Sequence, residues 1–216
     1  MNVTIQIEAG KMSIDMGRPG VVADQSSESG GRTINNSASS GARSTVALGA
    51  DDRFTGTIAG PVDMGTRGEP RVTDILVAAL RARGHAVDWR DGDDRRGVDR
   101  FLTIDGKDVS LQVVTARVDE TFWAEVARGS ASRTADLAAA AAWLDQAIAE
   151  KAAKYDGGSK STMLLAIDLA HFGVLATESG TEAYRATHGD PARYGFWSIW
   201  LVGPTVPLTA PLSPAG

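Results

Sequence analysis

Two apolar runs joined by an Asp-Gly turn constrain this chain more than any other feature. Val98 to Ile104 (VDRFLTI) and Val109 to Ala116 (VSLQVVTA) flank Asp105-Gly106-Lys107-Asp108. An Asp-Gly pair between such runs predicts a β-hairpin, because glycine takes the positive φ that tight hairpin turns require. Upstream, His85 to Arg90 (HAVDWR) alternates as a strand does, and DGDDRRG after it reads as a polar turn. Three successive strands are therefore expected.

Helical patterns bracket them. In EPRVTDILVAALRARG, Val72, Ile75, Leu76, Ala79 and Leu80 recur at the three-and-four spacing of a buried helix face, with Pro70 suited to the first turn and Gly84 to the end. Beyond the hairpin, a short amphipathic piece (ETFWAEVARG) leads to a helix from about Thr134 to Tyr155, rich in alanine and striped with Leu137, Trp143, Leu144 and Ile148. Gly157-Gly158 stops it. Ser161 to Ala170 (STMLLAIDLA) is apolar almost throughout, as expected of a strand covered on both faces, and Phe196 to Val202 reads as a final strand. The expectation is one α/β domain over 59–204, followed by an irregular Pro-rich tail over 205–216.

The N-terminal part differs. Val3, Thr4 and Ile5 favour a short strand within 1–23, whereas 24–58 is dominated by Ser, Gly, Asn and Ala and is expected to be a flexible linker. KMSIDMGRPG (11–20) and GPVDMGTRGEP (60–70) share an apolar-Asp-Met-Gly centre, either by chance or as two strands of one sheet or one partner surface.

With 216 residues, 43% of them hydrophobic, a second full domain does not fit comfortably. The absence of cysteine excludes disulfides and thiolate metal sites, and His85, His171 and His188 stand at no ligand spacing. Any metal is expected to be a hard ion held by oxygen. The start lacks a basic, apolar leader and no stretch approaches a membrane span, so a cytoplasmic protein is expected. A formal net charge of −5 argues against a general polyanion coat but leaves room for a local basic groove.

The order helix, three strands, helix, strand resembles that of the PD-(D/E)xK, or restriction-endonuclease-like, nuclease superfamily, over roughly Glu69 to Val202. Glu69 opens the first helix, Gly97-Val98-Asp99 opens the first hairpin strand, and Gln112-Val113-Val114 lies on the second before the Ala-rich helix. The resemblance implies an α-β-β-β-α-β core with a mixed central sheet flanked by helices. It implies an acidic residue on the first helix (Glu69), an Asp at the second strand (Asp99) and an (E/D/Q)-x-K triplet on the third.

Phosphodiester hydrolysis needs a cation to stabilise charge on the phosphoryl oxygens and to position water, and Mg²⁺ or Mn²⁺, as one or two ions, suits oxygen ligands. Asp99 and Gln112 can face each other near the open end of the hairpin. By analogy with the superfamily, the Val113 carbonyl joins them as a metal ligand. The triplet's lysine, however, is replaced by Val114. Either a lysine reaches the site from the next helix, with Lys151 or Lys154 as candidate, or the site is degenerate and the fold serves binding. Gln112 interrupts an apolar strand, and a buried amide without a partner is costly.

Each residue also has a plainer role: Glu69 as an anion at a helix N-terminus, Asp99 as a turn residue, Lys151 as a solvated helix residue, and Asp168 as a loop cap rather than a further acid. Trp123, Trp143, Trp197 and Trp200 can stack on bases but are explained by core packing. Gly157-Gly158-Ser159-Lys160-Ser161 runs from helix to strand, the reverse of a phosphate loop.

The sequence thus points to a metal-dependent nuclease-like protein acting on DNA, with Glu69, Asp99, Gln112 and Lys151 as catalytic candidates. The alternatives are an inactive member of the fold that binds nucleic acid or a protein partner, the N-terminal arm supplying contacts, and a regulatory or immunity-type interaction protein. No membrane partner is expected, and a homodimer is compatible with the fold.

Overall fold

The computed structural model describes residues 4–8, 11–15, 21–28, 31–38, 43–48, 53–59, 68–93, 97–116, 121, 124–125, 128–169, 178–203 and 205–213. They fall into two compact units, Met1–Asp63 with Val118–Ala139, and Met64–Arg117 with Ala140–Gly216.

In the first unit, β1 (Thr4–Glu8), β2 (Lys11–Asp15), β3 (Val21–Glu28), β4 (Gly31–Ala38), β5 (Arg43–Leu48) and β6 (Arg53–Ala59) form an antiparallel meander. A seventh strand, Ser130–Asp136 (β10 in chain order), pairs with β6. Residues 24–58, expected as a flexible linker, therefore contain strands. The physical reason is that a β-ladder satisfies backbone groups whatever the side chains, and Val21, Val22, Thr33, Ile34, Thr45 and Val46 favour extended backbone. Between β6 and β10, hydroxyls pair across the strands: Thr55 with Thr134 at 2.8 Å and Thr57 with Ser132 at 2.9 Å. Of the two echoing fragments, the first contains β2, and most of the second lies outside the described residues.

The second unit is built on a mixed six-stranded sheet. Its elements are α1 (Gly68–Ala82), β7 (Val87–Asp93), β8 (Val98–Ile104), β9 (Lys107–Thr115), the C-terminal part of α2 (Leu137–Ala152), β11 (Met163–Asp168), α3 (Glu178–His188), β12 (Ser198–Val202) and β13 (Thr209–Ser213). The strand order is β13-β12-β11-β9-β8-β7, with β11 parallel to both β9 and β12 and every other pair antiparallel. The expected hairpin has a two-residue loop, Asp105 at φ 51° and Gly106 at φ 82°. Two successive positive φ values give a turn whose twist matches that of the strands.

The helix face read in α1 is the face it buries. Val72, Leu76, Ala79 and Leu80 join Val87, Leu102, Ile104, Val109, Leu111, Leu164, Ala166, Trp200 and Val202 in one core on that side of the sheet. Every residue of β11 is buried, as its unbroken apolar run predicts. Losing a fully buried side chain here, as in Leu111→Ala, costs about 2–5 kcal/mol.

Several assignments differ from expectation. The long helix begins at Leu137 rather than near Thr134, because β10 occupies Ser130–Asp136. Asp136 marks the junction, its carboxylate accepting from the Ala139 amide at 2.7 Å. The tail over 205–216, expected to be irregular, contains a 3₁₀ turn and then β13. An edge strand tolerates Pro211, and Ser198 Oγ donates to the Ser213 carbonyl at 2.8 Å while Ser213 Oγ accepts from the Ile199 amide at 3.0 Å. Finally, α3 was not anticipated, since its sequence ESGTEAYRATH carries few apolar residues.

α3 is held by the fully buried Tyr184 and by a polar cluster. Asp145 of α2 accepts through Oδ1 from Tyr184 at 2.6 Å, Tyr194 at 2.9 Å and Arg193 at 2.5 Å, and His188 Nδ1 lies 3.5 Å from its other oxygen. Among the described residues no helix is long and apolar enough to cross a membrane.

Candidate functional site

The site is assembled at the open end of the β8–β9 hairpin. Alternation divides the residues there between the two faces of the sheet. Leu102 and Ile104 of β8, and Val109 and Leu111 of β9, belong to the α1-side core, so Arg100 shares that side while Asp99, Phe101, Ser110 and Gln112 face the other. The register pairs Arg100 with Leu111, and one step beyond it Asp99 stands beside Gln112.

Asp99 is fixed by backbone. Its Oδ2 accepts from the Val113 amide at 2.6 Å, so the carboxylate takes the place of a ladder carbonyl where the two strands part. Gly92 of β7 backs this point: a Cβ there would run into the backbone of Val98 and Asp99. Glycine is required by close approach, and the position of Asp99 depends on it.

Gln112 is only 2% exposed, and both ends of its amide are engaged. Nε2 donates to the Gly97 carbonyl, and Oε1 accepts from Lys151 Nζ at 2.7 Å. A carbonyl on one side and an ammonium on the other leave the amide a single orientation. Tyr155, one turn beyond Lys151, donates its hydroxyl to the same Gly97 carbonyl at 3.2 Å.

Electrostatics tie these groups to Asp99. Burial lowers the Lys151 pKa, the Asp99 charge opposes that, and Lys154 adds a smaller push downward. Burial raises the Tyr155 pKa, and the Asp99 charge raises it further. Asp99, Gln112, Lys151 and Tyr155 therefore form one cluster, with a desolvated ammonium anchored on an amide oxygen next to a carboxylate. Tyr155 was missed from the sequence, although its place four residues after Lys151 is the helical spacing that puts two side chains on one face.

Glu69 reaches Asp99 through Arg100, whose Nη1 also donates to the Asp99 carbonyl at 2.6 Å. Its Oε1 pairs with Arg100 Nη1 at 2.5 Å, on the α1 side of the sheet. Arg100 also sits 5.5 Å over the Trp89 ring and 3.8 Å from Asp91. β8 turns the Arg100 side chain toward α1 and the Asp99 side chain to the opposite face, with Glu69 on the Arg100 side. Asp168, at the end of β11, forms an ion pair with Arg71 of α1 at 2.6 Å.

The donor set bears on a metal. Among the described residues no three His, Cys, Asp or Glu side chains gather closely enough to hold an ion by themselves. Asp99 supplies a carboxylate oxygen, and the Gln112 amide oxygen, though it accepts from Lys151, has a second lone pair. Mg²⁺ commonly takes one or two carboxylates, retains waters and binds substrate phosphates. The oxygens of Asp99 and Gln112 are of the kind that fits one such ion. Val113 enters the described geometry through its amide, which holds Asp99.

Comparisons with protein-family models, with curated proteins and with solved structures each returned no match.

Proposed function

We propose that this protein is a nuclease-like phosphodiesterase acting on DNA, with a divergent restriction-endonuclease-like core formed by α1, β7, β8, β9, α2 and β11. The observation that carries this reading is the Lys151–Gln112 hydrogen bond of 2.7 Å beside Asp99. It supplies from α2 the cation that Val114 cannot supply from β9. In this reading Asp99, Gln112 and the Val113 carbonyl hold Mg²⁺ or Mn²⁺, which when bound polarises the phosphoryl oxygens and positions water. Lys151 holds positive charge where a phosphate oxygen gains negative charge, and its burial strengthens that interaction. Gln112 keeps the ammonium in place, and Gly97 and Tyr155 keep Gln112 in place.

A second reading has its own support. With Glu69 drawn onto Arg100, no group of three acidic or His side chains gathers among the described residues, which suits a protein that binds nucleic acid or a protein partner without cleaving.

Supercoiled plasmid and single-stranded circles incubated with Mg²⁺ or Mn²⁺ separate the two. Nicking by the wild type that falls at least about 100-fold in Asp99→Ala and in Lys151→Met supports the nuclease. Equal nicking by wild type and Asp99→Ala sinks the site. Salt-sensitive DNA binding without cleavage favours the second reading, and neither activity favours an interaction protein with no nucleic-acid role.

A further inference from the structure

On the same face as Asp99, two residues along β8, stands Phe101. Across the ladder it pairs with Arg90 of β7, whose guanidinium lies 4.1 Å over the Phe101 ring. Arg90 is exposed and Phe101 half-buried. Among the described residues Arg90 has no carboxylate partner: Asp88, two residues before it on the same face of β7, forms no ion pair with it. Arg100, by contrast, is held by Glu69 on the other side of the sheet. Arg90 is thus a cation oriented by an aromatic ring, its N–H groups left to solvent, on an otherwise acidic protein.

We propose that Arg90, seated on Phe101, is the docking point for a DNA backbone phosphate adjacent to the one at Asp99. This rests on the nuclease-like reading and deepens it by naming where the neighbouring nucleotide is gripped. Three considerations point the same way. A strand rises about 3.4 Å per residue, so Asp99 and Phe101 stand about 7 Å apart along β8, comparable to the separation of neighbouring phosphates on one DNA strand. A planar guanidinium offers a donor fork matched to phosphate oxygens, and stacking on a ring removes the entropy that a free arginine loses on binding. Lastly, the ring is covered by the guanidinium, so the occupant suited to this place is an anion on the outer N–H groups rather than a stacked base. In this arrangement Arg90 binds, Phe101 is a positioning residue, and neither takes part in bond cleavage.

The test uses the full chain carrying Asp99→Asn, so that binding is read without cleavage, and a fluorescently labelled single-stranded oligonucleotide followed by anisotropy from 50 to 300 mM salt. Adding Arg90→Gln is expected to weaken binding roughly tenfold at 50 mM salt and to reduce the slope of log K against log salt by about 0.7, the share of one phosphate contact. Phe101→Leu is expected to lose several-fold affinity, and Phe101→Tyr, which keeps a ring under Arg90, to restore it. Unchanged affinity and slope in Arg90→Gln, or no binding by the folded Asp99→Asn parent, overturns the proposal. Metal-dependent cleavage by the wild type is scored separately. Arg90-dependent binding without any cleavage overturns the nuclease reading alone, and cleavage with Arg90-independent binding overturns the docking point alone.

Discussion

Lys151 Nζ donates to Gln112 Oε1 over 2.7 Å, joining α2 to β9 across one face of the sheet. The ammonium is partly desolvated, and its pKa lies below the ordinary 10.5 because burial outweighs the pull of Asp99. A lysine with a lowered folded pKa binds its proton less tightly in the native state than in the unfolded chain. The penalty of burying the charge is therefore full below the folded pKa, and stability rises with pH from there to the unfolded value. Urea denaturation at a series of alkaline pH values is expected to show this rise in the wild type and a flatter profile in Lys151→Met. At neutral pH that variant leaves the Gln112 oxygen without its donor, at a cost of roughly 1–2 kcal/mol. If the protonated amine acts on phosphate, the rate of cleavage falls on the alkaline side before pH 10.5 is reached.

Gly92 offers a second test. Gly92→Ala places a methyl group against the Val98 and Asp99 backbone, and overpacking of this kind costs about 1–3 kcal/mol. The expected signature is a lowered denaturation midpoint together with a loss of metal-dependent cleavage, although Gly92 carries no chemistry. Gly157→Ala is the control, because a Cβ there meets nothing within 4 Å and should leave stability within about 0.5 kcal/mol.

The Asp145 cluster makes a prediction about acid. Burial opposes ionisation of Asp145, but hydrogen bonds from Tyr184 and Tyr194 and the charges of Arg193 and His188 outweigh it, so its pKa lies below the usual 3.8. Tyr184 is pushed upward by burial and by its bond to the same carboxylate. A depressed carboxylate contributes stability that is present above the unfolded pKa and is lost as pH falls through the folded one. Thermal melts from pH 7 down to pH 2 should show Asp145→Asn less stable by about 1–2 kcal/mol at neutral pH, with the gap closing in strong acid.

Local patterns made much of the second unit legible. The apolar spacing of α1, the Asp-Gly turn and the unbroken apolar run of β11 each announce themselves within a dozen residues. Gln112 was visible as a polar interruption, and Lys151 could be nominated from its place beside the apolar stripe of α2. The Glu69–Arg100 pair was not legible, because the face that β8 turns toward α1 is fixed by register, and register put Arg100 there. The same alignment sets Arg90 on Phe101, which neither run discloses alone. β3 to β6, β10 and β13 were hidden for another reason: their sequences are polar or rich in proline, and their pairing is carried by backbone.

The parallel seam between β9 and β11 has a kinetic consequence. Ser110 pairs with Met163, and Gln112 with Leu165, so closing this seam requires the whole α2 crossover to be gathered in first. Pairings so distant along the chain raise the contact order and slow folding relative to the local β7–β9 meander. Asp99 and Gln112 are brought together by the local hairpin, whereas Lys151 reaches them only through the long crossover. The cluster thus joins a contact between strands close in sequence to one that spans 39 positions, and only the second depends on the crossover.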